Sequence, residues 1–250
     1  MISIELPNGQ VWPIRKLLAK AASNPKLAKD DGGGRYMVFG LSMSPHTIGG
    51  GNVCPHATPG CIAGCLSEGG MSFQSVVRNG RRARHVAWLT QRDAFMAMLR
   101  KEIKLAAKLA AKHGKQAAIR LNVFSDIPWE KFGIIDEFPN VVFYDYTKNP
   151  HRGVGWIRLN YHLTFSKSEE NGEQCRAVLS STNPGNVAAV FATKNPRKWG
   201  VGELPTTFMG FPVHDGDNSD LRFLDPVGVV VALRAKGKSR KDKTGFVIRG

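Results

Sequence analysis

The run Ala117-Ala-Ile-Arg-Leu-Asn-Val-Phe124, followed at once by Ser125-Asp126, decides the fold class. Its apolar body and polar end read as a buried strand that delivers hydrophilic side chains at its carboxyl terminus. The same figure recurs. Tyr36–Leu41 closes on a Ser/Pro/Gly-rich segment, Val141–Tyr146 on Thr147-Lys148, and Tyr161–Phe165 on Ser166-Lys167. Val187–Phe191 leads to Thr193-Lys194, and Gly228–Leu233 is a last strand reached through the turn-rich stretch from Gly210 to Pro226. From Ser72 the pattern turns helical, with Val86, Leu89, Phe95, Leu99, Ile103 and Ala106 forming an apolar stripe. Asn79-Gly80 marks a break before the long helix, and Lys112-His113-Gly114 supplies its stop. Pro128–Glu137 has room for a short helix.

Strand, polar end, helix and strand again is the cadence of a parallel sheet, so the fold class is α/β. In such folds chemistry gathers at the carboxyl ends of the strands. About six strands are readable, fewer than a closed eightfold barrel needs, which leaves an incomplete barrel or an open doubly wound sheet. No repeat and no domain boundary interrupts residues 1–250.

Composition narrows the function classes. With 42% hydrophobic and 22% charged residues, the chain matches ordinary globular usage rather than a disordered, collagen-like or cysteine-rich secreted one. No stretch reaches about 18 consecutive apolar residues, and Met1–Gln10 lacks a signal pattern, so no membrane partner is expected and the compartment is cytoplasmic. Lys and Arg number 35 against 20 Asp and Glu, a net +15 that predicts a polyanionic partner.

Three of the four cysteines fall in the Gly/Pro-rich loop 42–70, as Cys54, Cys61 and Cys65. Thiols so gathered point to metal binding in a reducing compartment. They can hold an iron–sulfur cluster with one iron left open, or, joined by His56, a tetrahedral zinc ion. The plain alternative is three buried thiols without metal; Cys175 reads as an inert core residue. Arg78, Arg81, Arg82 and Arg84 follow as a cationic block suited to phosphates, or to ordinary salt bridges with Glu68 and Asp93. Lys236, Lys238, Arg240 and Lys241 belong to a basic tail, 234–250, that reads as a phosphate-contacting segment or a solvated loop.

The strand ends supply the remaining candidates. Asn122, Ser125 and Ser166 are candidate cofactor-binding residues; Asp126, Asp145 and Lys148 are candidate catalytic ones. Taken singly, each is also a natural cap or turn residue. Asp215 and Asp217, in the segment His214–Arg222, could do general acid–base or nucleophilic work.

Three blocks carry a family resemblance: Cys54-Pro-His-Ala-Thr-Pro-Gly-Cys61-Ile-Ala-Gly-Cys65, Arg120-Leu-Asn-Val-Phe-Ser-Asp126-Ile-Pro-Trp129-Glu, and Phe143-Tyr-Asp-Tyr-Thr147-Lys148-Asn-Pro150. From about Tyr36 to Leu233 the chain resembles the bacteriophage and plasmid "gene product 88" family. The blocks are also similar to phage proteins with a three-cysteine motif, related to radical S-adenosylmethionine enzymes. That resemblance implies a partial (β/α)6 TIM-like barrel, an iron–sulfur cluster on the loop after the first strand, and possible S-adenosylmethionine facing strand ends near Asn122–Asp126 and Asp145–Lys148. The cysteines here stand wider apart than in those enzymes, with six and then three intervening residues, and no Gly-Gly-Glu segment follows the second strand. Zinc therefore stays open beside iron.

The function so implied is a nucleic-acid-modifying metalloenzyme of an infected bacterial host, with radical chemistry on a base or sugar and DNA ahead of RNA as partner. One alternative is a zinc-containing base transglycosylase that exchanges guanine for a 7-deazaguanine through a strand-end aspartate. The other is a non-catalytic nucleic-acid-binding protein.

Overall fold

The expected strands form, and they form one sheet. The computed structural model describes residues 2–5, 9–20, 34–68, 74–193 and 203–249. Gly69, Gly70, Ser72, Lys194 and Gly250, which fall in segments named above, lie outside them. In chain order the elements are β1 (Ile2–Glu5), β2 (Val11–Ile14), β3 (Leu18–Lys20), β4 (Tyr36–Leu41), α1 (Pro59–Ala63), α2 (Ser75–Thr90) and α3 (Arg92–Lys112). Then come β5 (Gln116–Arg120), β6 (Val142–Thr147), β7 (Gly155–Arg158), β8 (Tyr161–Ser166), α4 (Gly172–Ser180), β9 (Val187–Phe191), β10 (Thr207–Phe208), β11 (Phe211–Asp215), β12 (Val230–Arg234) and β13 (Val247–Ile248).

β1 and β2 make an antiparallel hairpin packed on α2. The other strands join an 11-stranded mixed sheet. Its parallel run is β4–β5–β6–β8–β9–β12–β11, flanked by antiparallel β3 at one edge and β10 at the other. The α/β class stands, and two expectations are corrected. The sheet is mixed, with more strands than six; no pairing among the described residues closes it into a barrel, in keeping with an incomplete or open sheet. The cysteine loop does follow Tyr36–Leu41, but that strand is β4 rather than the first, because three short strands precede it. The short outer strands give a weak signal because they are two to five residues long; even where β1 and β7 alternate, the pattern spans only four residues. The stretch from Gly210 to Pro226 accordingly holds β11 as well as turns, and 234–249 is no free tail: β13 returns to pair with β9.

The helix break also moves. α2 runs straight through Asn79-Gly80 and stops at Gln91. At the chosen stop, Arg92 Nε donates to the Trp88 carbonyl at 2.8 Å, and its guanidinium stacks 3.7 Å from the Trp88 ring. A cation on an orphan carbonyl is a favourable helix end. On α3 the apolar stripe holds: Phe95, Leu99, Ile103 and Ala106 are buried against the sheet, whereas Leu89 stays at the surface.

Strand alternation sets up two faces. Phe143, Ile119 and Tyr161 face the helices and join the main core with Leu99 and Ile103. Tyr144 and Ala118 face the other way and pack with Val38 and Leu221, with Phe223 of the 3-10 turn Arg222–Leu224 beside them. Beyond that plug, towards the carboxyl ends of the strands, this second face opens into a cavity of about 1410 Å³.

Candidate functional site

The cavity wall starts at the cysteine loop. Cys54, Cys61 and Cys65 all border it, each half-buried. The loop is pinned from several sides. Asp126 N donates to the Val53 carbonyl at 2.8 Å and the Cys54 thiol to the Phe124 carbonyl at 3.3 Å, docking the loop on the segment after β5. Glu169, which follows β8, accepts from Gly60 N at 2.7 Å and from Thr58 Oγ1 at 2.7 Å, holding the start of α1 between Cys54 and Cys61. Gly60 is required there: a Cβ would lie 2.2 Å from Thr244 Oγ1 and 2.6 Å from Phe246 Cβ.

The thiols share an electrostatic environment. Burial pushes the Cys54 thiol up to about 12, and the charges that Cys65 and Cys61 would carry add to the shift. Against this, His46 N–H points at Cys54 Sγ at 3.3 Å, from a residue held at φ +49°. Among the described residues, no three His, Cys, Asp or Glu side chains are gathered tightly enough to hold a metal ion as they stand. His56 is half-buried and off the cavity wall. Cys175 is fully buried in the core, and burial pushes its thiol up to about 11.

The arginine block mostly braces the loop. Arg81 donates to the Ser67 carbonyl at 2.9 Å and lies 4.5 Å from the Phe124 ring. Arg84 donates to the carbonyls of Lys16 and Ser42 at 3.0 and 3.2 Å, and burial lowers it to about 10. Both border the cavity. Arg78 is exposed, and Arg82 is half-buried with its Nε lacking a hydrogen-bond partner. In the C-terminal segment Arg234 pairs with Asp215 at 2.8 Å and Lys236 with Asp217, so these two carboxylates serve an ion-pair cluster. Burial opposes ionisation of Asp215, yet the Arg234 hydrogen bond holds it below the usual carboxylate range. Lys238 and Lys241 are exposed on the 3-10 turn Gly237–Lys241, where Arg240 sits half-buried.

The strand-end residues divide between the two faces. Asn122 is a hub: its Oδ1 accepts from Ser125 Oγ, Ile127 N and Trp129 Nε1 at 2.8, 3.0 and 3.0 Å. Asn122 and Ser125 therefore border the cavity with their polar atoms already engaged. Asp126 accepts from Lys148 N at 2.8 Å and from Arg152 Nη1 at 3.0 Å. Arg152 also forks onto Glu130 at 2.9 and 2.7 Å and reaches Tyr161 OH at 3.2 Å. Asp145 is wholly buried and off the cavity wall, accepting from Asn122 N at 2.7 Å and Tyr161 OH at 2.9 Å. Burial pushes its carboxyl up to about 7, despite the nearby Arg120 charge and those hydrogen bonds. Lys148 borders the cavity, donates to Ser166 Oγ at 2.7 Å and lies 5.6 Å from the Phe246 ring.

Sequence reasoning missed Arg152, Glu130, Tyr161 and Glu169, whose roles arise from contacts between distant segments. It also missed Arg120, which borders the cavity although only 5% exposed. A signal was there: a lone cation inside an apolar strand, on the opposite face from Ile119 and Leu121.

No helix among the described residues is long and apolar enough to cross a membrane. Neither the curated proteins nor the solved structures contain a match to the chain. The sequence model of one family, described as gene product 88, matches residues 13–250 and so covers nearly all of the cavity wall. The chain belongs to the gene product 88 family.

Proposed function

We propose that this protein is a metal-dependent phage enzyme that modifies a nucleic-acid constituent inside the cavity, with Cys54, Cys61 and Cys65 as ligands of an iron–sulfur cluster. The observation that carries this reading is that all three thiols border one cavity, opposite strand ends that present Lys148 and Ser166 to the same space.

Three cysteines on one cavity wall are the residue types a cluster uses. The buried Cys54 thiol resists ionisation, so a cationic centre is what would draw it into the thiolate form. The His46 N–H aimed at Cys54 Sγ is the kind of hydrogen bond by which a protein tunes a ligating sulfur. A single zinc ion demands four donors around one point, and among the described residues the thiols and His56, which is off the cavity wall, are not so gathered. A cluster spreads its thiolates over several metal atoms and asks for less convergence. When bound by three cysteines, such a cluster supplies one-electron chemistry at an iron open to an outside ligand, S-adenosylmethionine being the one the family resemblance suggests.

The chain's own residues supply binding and orientation. Lys148, fixed by Ser166, places a cation at the substrate's edge of the cavity, and Asp126 fixes the Lys148 backbone. Base exchange through an aspartate has less support. Asp145 is sealed from the cavity, Asp126 is held by Arg152, and Asp215 and Asp217 are ion-paired. The net charge of +15 supports an anionic substrate.

Anaerobic purification tests the reading. Protein with bound iron and sulfide and a broad absorption near 400 nm (roughly, as for thiolate-held clusters) is expected, lost on Cys54→Ala, Cys61→Ala or Cys65→Ala. Stoichiometric zinc with no iron, or iron content unchanged in all three variants, would overturn it.

A further inference from the structure

Arg120 closes β5 on the cavity side of the sheet. It is only 5% exposed and its Nε has no hydrogen-bond partner. Among the described residues no carboxylate lies within ion-pair distance of it; the Tyr146 ring packs 4.6 Å from its guanidinium. Burying an arginine is expensive, and stacking on one ring returns only part of that cost. The charge of Arg120 is felt by Asp145 across the sheet, but on the cavity side a buried guanidinium with no carboxylate within ion-pair distance is suited to take an anion.

The surroundings point the same way. By strand register Tyr144 faces His162 and Tyr146 faces Thr164, one row further along the same side of the sheet. The Tyr144 hydroxyl, Thr164 Oγ1 and His162 Nδ1 are all buried and all lack partners. None of these three borders the cavity itself; on this row of the sheet Tyr146 does, beside Arg120. Of the nearby carboxylates, Asp145 and Asp225 are engaged elsewhere, whereas Asp220 borders the cavity with a buried Oδ2 that has no hydrogen-bond partner among the described residues. Asp145 lies on the opposite face and takes hydrogen bonds from Asn122 N and Tyr161 OH. Asp225 pairs with Arg222 at 3.3 Å, and the Asp220 charge also supports Arg222. Lys148, two residues beyond Tyr146 on the same strand side, adds a second cation with no carboxylate partner.

We propose that Arg120 is the oxyanion receptor of this cavity, its guanidinium binding a phosphate or carboxylate of the ligand, with Tyr146 and Lys148 on the same wall. The proposal rests on the cavity being the functional site, but not on any metal.

The test follows the Arg Nε–Hε resonances of the ¹⁵N-labelled full chain by NMR, with sodium phosphate or sodium acetate titrated at constant ionic strength against sodium chloride. One resonance, identified by its loss in Arg120→Lys, should shift and saturate, and phosphate affinity should fall roughly tenfold or more in Arg120→Gln, the loss of one charge-assisted contact. Arg120→Lys should bind between the two, since it keeps the charge without the fork. Arg176→Gln, exposed on α4 and off the cavity wall, should bind as the parent does. A response to acetate alone assigns the anion as a carboxylate, and one to phosphate alone as a phosphate; both support the receptor. A resonance unmoved by either anion leaves a cavity filled by water only and overturns the proposal, as does unchanged affinity in folded Arg120→Gln. If that variant fails to fold, the parent titration still decides. Because the readout is anion binding rather than turnover, a failed cluster assay leaves this result untouched, and the reverse holds too.

Discussion

β6 carries two polar environments on its two sides, and they are built on opposite rules. Towards the helices, Asp145 joins Tyr161, Arg152 and Glu130, together with Asn122 and Asp126, which also reach the cavity wall, in a network where each of these side chains makes hydrogen bonds at 2.7–3.4 Å. Towards the cavity, one residue away on either side, Tyr144 and Tyr146 lie among groups left open: the Tyr144 hydroxyl, Thr164 Oγ1, His162 Nδ1 and Arg120 Nε. Both regions are buried and both contain arginine and tyrosine. Burial of polar groups therefore does not mark a site in this molecule. An unfinished hydrogen-bond inventory beside a cavity does, because leaving a buried donor or acceptor unmade costs free energy that only a ligand or water can return.

The sharpest way to break this contrast is to open the closed side. Arg152→Ala removes the cation that bridges Asp126 and Glu130 and strands both carboxylates, whose side chains are only 11% and 13% exposed. Breaking a buried pair from one side costs about 3–5 kcal/mol, chiefly through the uncompensated charges left behind. Urea unfolding at pH 7 should show that loss. A cost below about 1 kcal/mol, in the range of surface pairs, would mean that the network is not the closed scaffold described.

A smaller effect, readable as pH dependence, comes from Asp145. Its folded carboxyl is raised to about 7 from an ordinary value of 3.8. The folded protein therefore binds the proton more tightly than the unfolded chain. The resulting stabilisation is full below about pH 4 and is lost as pH rises towards the folded value. Subtracting the unfolding free energy of Asp145→Asn from that of the parent, pH by pH, removes the other titrating groups. The difference should fall by roughly 1–3 kcal/mol between pH 4 and pH 8. A difference that climbs with pH would put the carboxyl below its unfolded value and turn Asp145 into a permanently ionised partner of Arg152.

How much of this could be read from the chain alone follows the same division. The apolar bodies of β4, β5, β6, β8, β9 and β12 were legible because burial on both faces gives continuous runs, and their boundaries shift by only a few residues. The edge strands were not, and the helix break misled because Asn79-Gly80 has the local chemistry of a turn. In the folded chain that glycine lies near Trp12 Nε1 of the β1–β2 hairpin, 3.9 Å from where a Cβ would stand, so packing overrode propensity. Within the site, the three cysteines were legible from clustering. Asp126 and Lys148 were legible as strand ends, but not the fact that Arg152 already holds Asp126, since that contact joins residues 26 apart. The open polar groups on this side of the sheet were hidden for a further reason: Tyr144, Thr164 and Arg120 look like any core residue until both faces of the sheet are known.

The finest comparison uses one residue type on both faces. Tyr161 donates to Asp145 at 2.9 Å and accepts from Arg152 at 3.2 Å, whereas Tyr144, equally buried, has a hydroxyl with no partner and a ring packed 5.4 Å from Phe223. Removing the hydroxyl from each by substitution with Phe leaves ring packing almost untouched, so the difference isolates the polar atom. Tyr161→Phe leaves Asp145 short of a donor and should cost about 1–3 kcal/mol. Tyr144→Phe deletes an unsatisfied group and replaces it with an apolar edge, so stability should stay within about 0.5 kcal/mol or rise slightly. Equal losses at both positions in parallel urea titrations would mean that the Tyr144 hydroxyl is already paired with ordered water in the free protein. The cavity side of the sheet would then be a second closed network, and the contrast between the two sides of β6 would vanish.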